Sequence, residues 1–231
     1  MAEDKDKLEP QGAPRWFSVH HRVSIWGKVT DAVTQKPIAG AEVTLTKMPA
    51  EFKKTLGRLA QYAGNEWAER SQRPDRTRSR ADGLYYFLDL PDGDYEIRAL
   101  LPNCGKRYGE VREKKKVSGV GQNKSGQEAL KGMWVGLALH PTVIRGRIAD
   151  AAKKTGILMA EVRLKGSGER AFSGARGEFT LGPVEASERA ERILECFAQG
   201  YLRKDRARIV VAKPGQLLDL GDIGLERARS G

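Results

Sequence analysis

The stretch that decides the fold occurs twice in this chain. Residues 25–31 read IWGKVTD, and residues 144–150 read IRGRIAD, 119 positions later. At the same offset, AEVTL at residues 41–45 returns as AEVRL at residues 160–164. Two matches in one register without a gap between them indicate an internal repeat, which is the first feature to look for in a sequence. We therefore predict two copies of one domain.

A third shared segment shows where the two copies differ. DGLYYF at residues 82–87 is answered by RGEFTL at residues 176–181, an offset of 94. Because the offset falls from 119 to 94, the first copy carries 25 extra residues between its second and third shared segments. Both copies then close with an alternating segment, at residues 133–139 and 218–225. The first copy is predicted to contain an insertion that the second lacks.

The shared segments have the hydrophobic period of half-buried β-strands. Apolar and polar residues alternate over four to seven positions, and turn-forming residues follow each segment. In the first segment the predicted inward set is Val23, Ile25, Gly27 and Val29. Several short strands separated by turns every 8–12 residues are typical of an antiparallel β-sandwich. We predict an all-β fold of two tandem sandwiches.

Four separated motifs of the first copy resemble the carboxypeptidase regulatory-like domain family, also described as transthyretin-like or prealbumin-like. They are GKVTD at 27–31, PIAGAEV at 37–43, DGLY at 82–85 and LPDGDY at 90–95, and they occur in this order. The resemblance implies a seven-stranded β-sandwich that packs and binds without catalysing a reaction. It does not imply peptidase activity, because the hydrolytic domain of those enzymes is a separate unit.

The resemblance and the repeat together divide the chain into segments. The predicted units are an N-terminal arm at 1–22, the first sandwich at 23–140, the second sandwich at 141–226 and a tail at 227–231. The second copy resembles the family less, since Gly156, Met159 and Arg176 stand where the first copy has Pro37, Gly40 and Asp82. Its predicted fold therefore depends on the repeat.

The insertion, at residues 48–73, changes from strand to helix periodicity. Its apolar residues recur at steps of three or four and form one stripe: Phe52, Leu56, Leu59, Ala63 and Trp67. Two interpretations stay open, a helix that covers its own sandwich and a helix that docks onto a neighbouring protein. An arginine run follows, and it indicates either a solvated face or a surface for phosphate or acidic protein.

We predict that the insertion is the main protein interface, because shared segments explain the fold and only the first copy has this one. Phe52, Leu56 and Trp67 would be the anchors, with a basic rim around them. The complete predicted set is Phe52, Lys53, Leu56, Arg58, Trp67, Arg70, Arg73, Arg76, Arg78 and Arg80.

Composition limits the class of protein and of partner. With 39% hydrophobic residues and no apolar run near 18 residues, the chain matches neither a disordered nor a membrane-spanning protein. The first residues lack the apolar core of a secretory signal, so we expect a cytoplasmic protein. The net charge of +11 favours acidic partners. Nucleic acid is disfavoured, because no aromatic residues interleave with the arginines to stack bases.

No pattern of reactive residues predicts a catalytic, metal or cofactor site. Cys104 and Cys196 match no metal spacing and are expected to be reduced. His20 and His21 are adjacent, so on a strand they would point to opposite faces, and His140 is distant in sequence. We predict a non-enzymatic protein without a cofactor.

These observations lead to one leading functional hypothesis and one alternative. The leading hypothesis is a structural or adaptor protein that binds other proteins within a larger assembly. Stand-alone members of the family that it resembles are similar to accessory parts of phage-tail-like contractile injection machines, which suggests that context. The alternative is a carbohydrate-binding or other ligand-binding sandwich, for which Trp16, Trp67 and Trp134 are the available tryptophans.

Overall fold

The protein is an all-β chain with one helical insertion. The computed structural model describes residues 21–118 and 132–228, which form fifteen strands and two helices. The predicted arm up to residue 20 and the last three residues of the predicted tail lie outside the described residues.

The first sandwich contains eight strands and both helices. Its elements, in chain order, are β1 (Val23–Asp31), β2 (Glu42–Lys47), α1 (Ala50–Ala63), α2 (Glu66–Glu69), β3 (Arg76–Arg78), β4 (Leu84–Leu88), β5 (Gly93–Leu100), β6 (Val111–Val117), β7 (Met133–Trp134) and β8 (Leu137–Leu139). One sheet has the order β4-β1-β7, with β8 also paired to β1, and the other has the order β3-β2-β5-β6.

The second sandwich repeats this arrangement with seven strands. They are β9 (Val143–Asp150), β10 (Glu161–Leu164), β11 (Arg170–Phe172), β12 (Glu178–Leu181), β13 (Arg192–Phe197), β14 (Lys204–Ile209) and β15 (Leu217–Leu225). The sheets have the orders β12-β9-β15 and β11-β10-β13-β14. The boundary predicted at residue 140 falls between β8 and β9, and the domain limits themselves stay a prediction.

Two separate apolar clusters fill the sandwiches, one built from residues 25–139 and the other from residues 144–225. The alternation of β1 matches its burial, since Ile25, Gly27 and Val29 are buried. Val23 was expected inside but is exposed, because the register of β1 shifts between Val23 and Ile25. A shift of one residue turns the following side chains to the opposite face.

The predicted all-β sandwich fold is confirmed, but the first and last strands of each sandwich pair in parallel, which the expected antiparallel arrangement does not include. β1 pairs in parallel with β7 and β8, and β9 pairs in parallel with β15. A parallel pair needs a long connection between its strands, and here the whole intervening sandwich is that connection. The last strand of the first sandwich is also interrupted, so this sandwich has eight strand segments where seven strands were predicted.

The repeated glycine of the first motif explains the irregular last strands. At Gly27, a Cβ atom would collide with the carbonyl oxygen of Val135, in the gap between β7 and β8. At the equivalent Gly146, a Cβ atom would lie 2.9 Å from the oxygen of Gly221, where the register of β15 shifts. Both copies therefore use a glycine where the last strand bulges toward the first.

The insertion forms a helix where the sequence predicts one. α1 begins directly after Pro49 and ends at Ala63, because Gly64 adopts a positive φ of 57° at its C-terminus. The short α2 follows and carries Trp67. In the second sandwich, only residues 165–169 connect the equivalent strands β10 and β11.

Candidate functional site

The apolar stripe of the insertion faces its own sandwich. Phe52 and Leu56 are buried and belong to the first apolar cluster, and the Phe52 ring meets the Tyr95 ring edge-on at 6.3 Å. Trp67 is partly buried against the same cluster. The core of the first sandwich therefore already covers both side chains, and their predicted role as anchors for a partner stays a prediction.

The outer side of α1 remains accessible. Lys53 and Arg58 are exposed, and the Tyr62 ring is 95% exposed. Between α1 and β4 lies a hollow of about 450 Å³, lined mainly by apolar side chains, among them Leu59 and Leu88. Lys53 and Arg58 of the predicted basic rim are thus on the surface, and their role in binding stays a prediction.

Two arginines of the run that follows the insertion form contacts within the first sandwich. Arg73 lies 5.1 Å from the centroid of the Trp67 ring and pairs with Asp75 at 3.2 Å. Arg76 pairs with Glu42 across the β2–β3 pair. These two guanidinium groups hold the insertion and β3 in place, because their partners belong to the same sandwich.

Arg70, Arg78 and Arg80 are the exposed arginines of this run. Arg70 pairs with Glu66 one helical turn away, at 3.4 Å. Arg78 and Arg80 line a small polar hollow of about 190 Å³, and the Arg80 guanidinium lies 5.6 Å from the centroid of the Tyr86 ring. Arg78 and Arg80 are therefore the members of the run best placed to meet a ligand.

The outer surface of the β4-β1-β7 sheet carries a row of aromatic side chains on three neighbouring strands. Trp26 of β1 stands opposite Tyr86 of β4 and Trp134 of β7. Trp26 is 41% exposed and Trp134 is 51% exposed. We call these three residues the aromatic face. Exposed aromatic side chains in such a contiguous row mark an interaction surface more often than isolated ones do.

The aromatic face has a defined geometry. The Trp26 and Trp134 rings pack edge to face, with centroids 4.6 Å apart and planes at 80°. The Trp26 indole N–H donates a hydrogen bond to the Gly132 carbonyl oxygen at 3.0 Å, which fixes the ring. Beside it is a hollow of about 430 Å³ whose lining includes Val23 and Leu84. The aromatic face therefore has rings of fixed orientation and a recess beside them.

The second sandwich provides an internal comparison, since its strands pair in the same register. Arg145 stands where the first copy has Trp26, and its neighbours are Thr180 and Asp219. Arg145 pairs with Asp219 at 3.0 Å, and the next outward residue of β9, Arg147, pairs with Asp222 at 2.9 Å. The same surface of the same fold is therefore ion-paired in one copy and aromatic in the other.

Sequence reasoning missed the aromatic face, although part of the signal was present. The alternation of β1 places Ile25 and Gly27 inward and so places Trp26 outward. In β4, Tyr85 and Phe87 are buried, so the alternation likewise turns Tyr86 outward. What the alternation does not contain is the pairing between strands, which brings the three rings together.

The remaining reactive residues of the described ranges are not grouped into a candidate catalytic centre. Among the described residues, no group of three His, Cys, Asp or Glu side chains could hold a metal ion. The His21 Nδ1 atom lies 2.5 Å from the Asp89 carboxylate, and this hydrogen bond lowers the pKa of Asp89. His20 lies outside the described residues, and Cys104 and Cys196 form no disulfide. None of the described helices is long and apolar enough to cross a membrane.

Comparisons with known proteins add little beyond this geometry. No protein-family model and no curated protein sequence matches the chain. Among solved structures, shaft pilin SpaA from Lactobacillus rhamnosus GG is similar, with 10% identity over 92% of this chain and 100% of that chain and a TM-score of 0.40.

Two other solved structures are similar over smaller shares of their own length. The Bacillus anthracis TIE protein has 10% identity over 89% of this chain and 34% of that chain, with a TM-score of 0.36. A type II cohesin–X-dockerin complex from Acetivibrio cellulolyticus has 18% identity over 35% of this chain and 52% of that chain, with a TM-score of 0.30. The match thus spans about half of that cohesin–X-dockerin chain. Similarities at this level support no inference about function.

Proposed function

We propose that this chain is a non-enzymatic adaptor that binds another protein through the aromatic face. The observation that carries the proposal is the contrast between the two copies. An ion-paired surface suffices for this sheet to fold in the second sandwich, so the fold does not require Trp26, Tyr86 and Trp134 at these positions. Tryptophan, tyrosine and arginine are the residues that most often carry binding energy in protein interfaces.

The proposed family relation, assembly and location of the protein are based on its sequence. The motifs of the first copy support a distant relation to the carboxypeptidase regulatory-like domains, in two copies with the domain limits given above. We propose further that the protein works in a multi-protein assembly, with a phage-tail-like contractile injection machine as the suggested context. Its proposed location is the cytoplasm, as part of an assembled or exported complex.

The geometry of the rings favours a protein partner over the carbohydrate alternative. A sugar stacks its flat face on the face of an aromatic ring, so an extended glycan site needs several rings in a shared plane. The planes of Trp26 and Trp134 stand at 80° to each other and offer no such platform. A glycan array with defined hits that disappear when the two tryptophans are replaced would reverse this preference.

Site-directed photo-crosslinking tests the proposal. The photo-reactive residue p-benzoylphenylalanine replaces Trp134 in one variant and the equivalent Asp219 in the matched control. In native extract, we expect position 134 to capture one defined protein that position 219 does not capture. That protein, once purified, is expected to co-elute with the unmodified chain and to dissociate from the W26R/W134D variant, which copies the ion pair of the second sandwich.

Two results would contradict the proposal. Capture of the same proteins at both positions would mean that the crosslinks are unspecific. A purified complex that survives the W26R/W134D exchange would mean that the partner binds elsewhere, and the exposed side of α1 would then be the next surface to test.

A further inference from the structure

The apolar recess of the aromatic face adjoins a second hollow, which is polar. The recess beside Trp26 and the small polar hollow beside Arg78 share Arg80, Leu84 and Tyr86 in their linings. Together they form one groove, apolar at the tryptophan end and polar at the arginine end. The apolar recess has a volume of about 430 Å³, which leaves room for a large side chain.

The charges in this groove have one sign. Arg78 and Arg80 are the charged residues among those that line its two hollows. Within the described part of the chain, neither guanidinium forms an ion pair, whereas Arg145 and Arg147 on the equivalent surface of the second sandwich are each paired with an aspartate. Because the described residues that line the groove include these two cations and no carboxylate, the groove favours an anionic ligand.

The distance between the two features limits the ligand further. The Arg80 guanidinium lies 5.6 Å from the centroid of the Tyr86 ring, so the cationic and aromatic parts of the groove touch. A ligand that contacts both parts therefore needs a carboxylate close to a large apolar side chain. A polypeptide with neighbouring acidic and aromatic residues has this chemistry.

We infer that the partner contributes an acidic segment, one large apolar side chain of which fills the recess beside Trp26 while its carboxylates bind Arg78 and Arg80. The inference rests on the proposed function and adds the chemistry of the partner to it. Arginine suits this role because its planar guanidinium binds a carboxylate through two parallel hydrogen bonds. The helix α1 takes no part in this contact.

Defined peptides test the inference without knowledge of the natural partner. The probes are fifteen-residue peptides with one central Phe or Ser, flanked on each side by either Asp or Lys residues. We expect the Phe/Asp peptide to bind the full chain at least about tenfold more tightly than the Ser/Asp and Phe/Lys peptides. Chemical shift perturbation is expected at Trp26, Tyr86 and Arg80, and binding is expected to weaken as salt rises.

Two charge-reversal variants locate the contact. R78E/R80E is expected to bind the Phe/Asp peptide about tenfold or more weakly than the wild type. K53E/R58E, which has the same change in net charge on the exposed side of α1, is expected to bind it with unchanged affinity. Thermal unfolding of both variants checks that each is folded. Equal loss in the two variants would reveal a general charge effect and would overturn the inference.

The same variants separate this inference from the proposed function. If W26R/W134D does not bind the purified natural partner but R78E/R80E binds it with full affinity, the aromatic face binds a partner that is not acidic. The inference then fails while the proposed function stands. If W26R/W134D retains the partner, the proposed function fails as well.

Discussion

At the scale of single residues, two buried aspartates hold equivalent corners of the two sandwiches. The Asp31 carboxylate accepts hydrogen bonds from the backbone of Val33 and Thr34 and, at 2.9 Å, from the Tyr108 hydroxyl. Turn chemistry at Asp31 follows from the sequence, since aspartate accepts hydrogen bonds from the backbone two or three residues ahead. The sequence does not predict the hydrogen bond from Tyr108, which lies 77 residues later in the chain.

Asp150 repeats this arrangement in the second copy. It accepts hydrogen bonds from the backbone of Ala152 and Lys153, from the Tyr201 hydroxyl at 3.1 Å and from Arg227 at 2.9 Å. The Lys153 backbone N–H and the Arg227 guanidinium hold the pKa of Asp150 well below its usual range. For Asp31, burial by itself would raise the pKa, but the hydrogen bonds outweigh it and the pKa is lowered.

These shifts predict how stability depends on pH. A carboxyl whose pKa is lower in the folded than in the unfolded state stabilises the fold above the unfolded pKa of about 4, and this stabilisation is lost as the pH falls through the folded pKa. We expect the urea midpoint of the wild type to drop below about pH 4. Asp150→Asn is expected to lower the midpoint at pH 7 and to flatten this pH dependence.

Asp94→Asn is the control for the aspartate prediction, because Asp94 is exposed. Its urea midpoints are expected to follow those of the wild type over the whole pH range. Asp150→Asn with an unchanged midpoint at pH 7 would contradict the stabilising role of the buried carboxylate.

At the scale of elements, α1 is a component of the first sandwich as well as a connection between β2 and β3. The stripe of Phe52 and Leu56 faces the apolar cluster, whereas Lys53 and Arg58 face solvent. An apolar stripe shows which side of a helix will be covered, but several surfaces can cover it. Here the nearest one, the sandwich from which the helix emerges, does so.

Truncation of the stripe is therefore expected to destabilise the protein. Phe52→Ala and Leu56→Ala should each lower the free energy of unfolding of the first sandwich by about 2–5 kcal/mol, the usual cost of removing a buried large side chain. The exposed Lys53→Ala should change it by less than about 0.5 kcal/mol. Denaturant titration measures the difference. Unchanged stability with loss of a purified partner would show that the stripe docks outward after all.

At the scale of the whole molecule, the two sandwiches contact each other through the loop between β5 and β6. The Lys106 backbone N–H donates to the Glu185 carboxylate at 2.7 Å, and Arg107 donates to the Pro183 carbonyl oxygen at 2.7 Å. Arg107 also pairs with Glu169 at 2.5 Å. These contacts and the short connection after β8 hold the two sandwiches against each other.

Loss of this contact is expected to uncouple the sandwiches. The Arg107→Ala/Glu185→Ala double variant should separate one calorimetric unfolding transition into two, and its radius of gyration from small-angle X-ray scattering should increase. Arg145→Ala, which removes a surface ion pair of the second sandwich, is the control and should change neither result. A double variant that still unfolds in one transition at wild-type dimensions would contradict the coupling.

Much of the fold follows from the sequence alone, because strand and helix periods depend on local backbone geometry. The repeat predicts two copies, the alternation in β1 and β4 predicts which side chains face inward, and Gly64 predicts the end of α1. The same alternation already turns Trp26 and Tyr86 outward. Each of these features depends on residues close together in the chain.

The tertiary structure decides the features that depend on residues far apart. Parallel pairing of β7 with β1 brings Trp134 beside Trp26 across more than a hundred residues, and so creates the aromatic face. The packing of α1 decides that Phe52 lies in the core of the first sandwich. The register of the strands, and the surface against which an apolar stripe packs, depend on the total buried area and on the hydrogen bonds of the whole sandwich. A local sequence pattern does not contain this information.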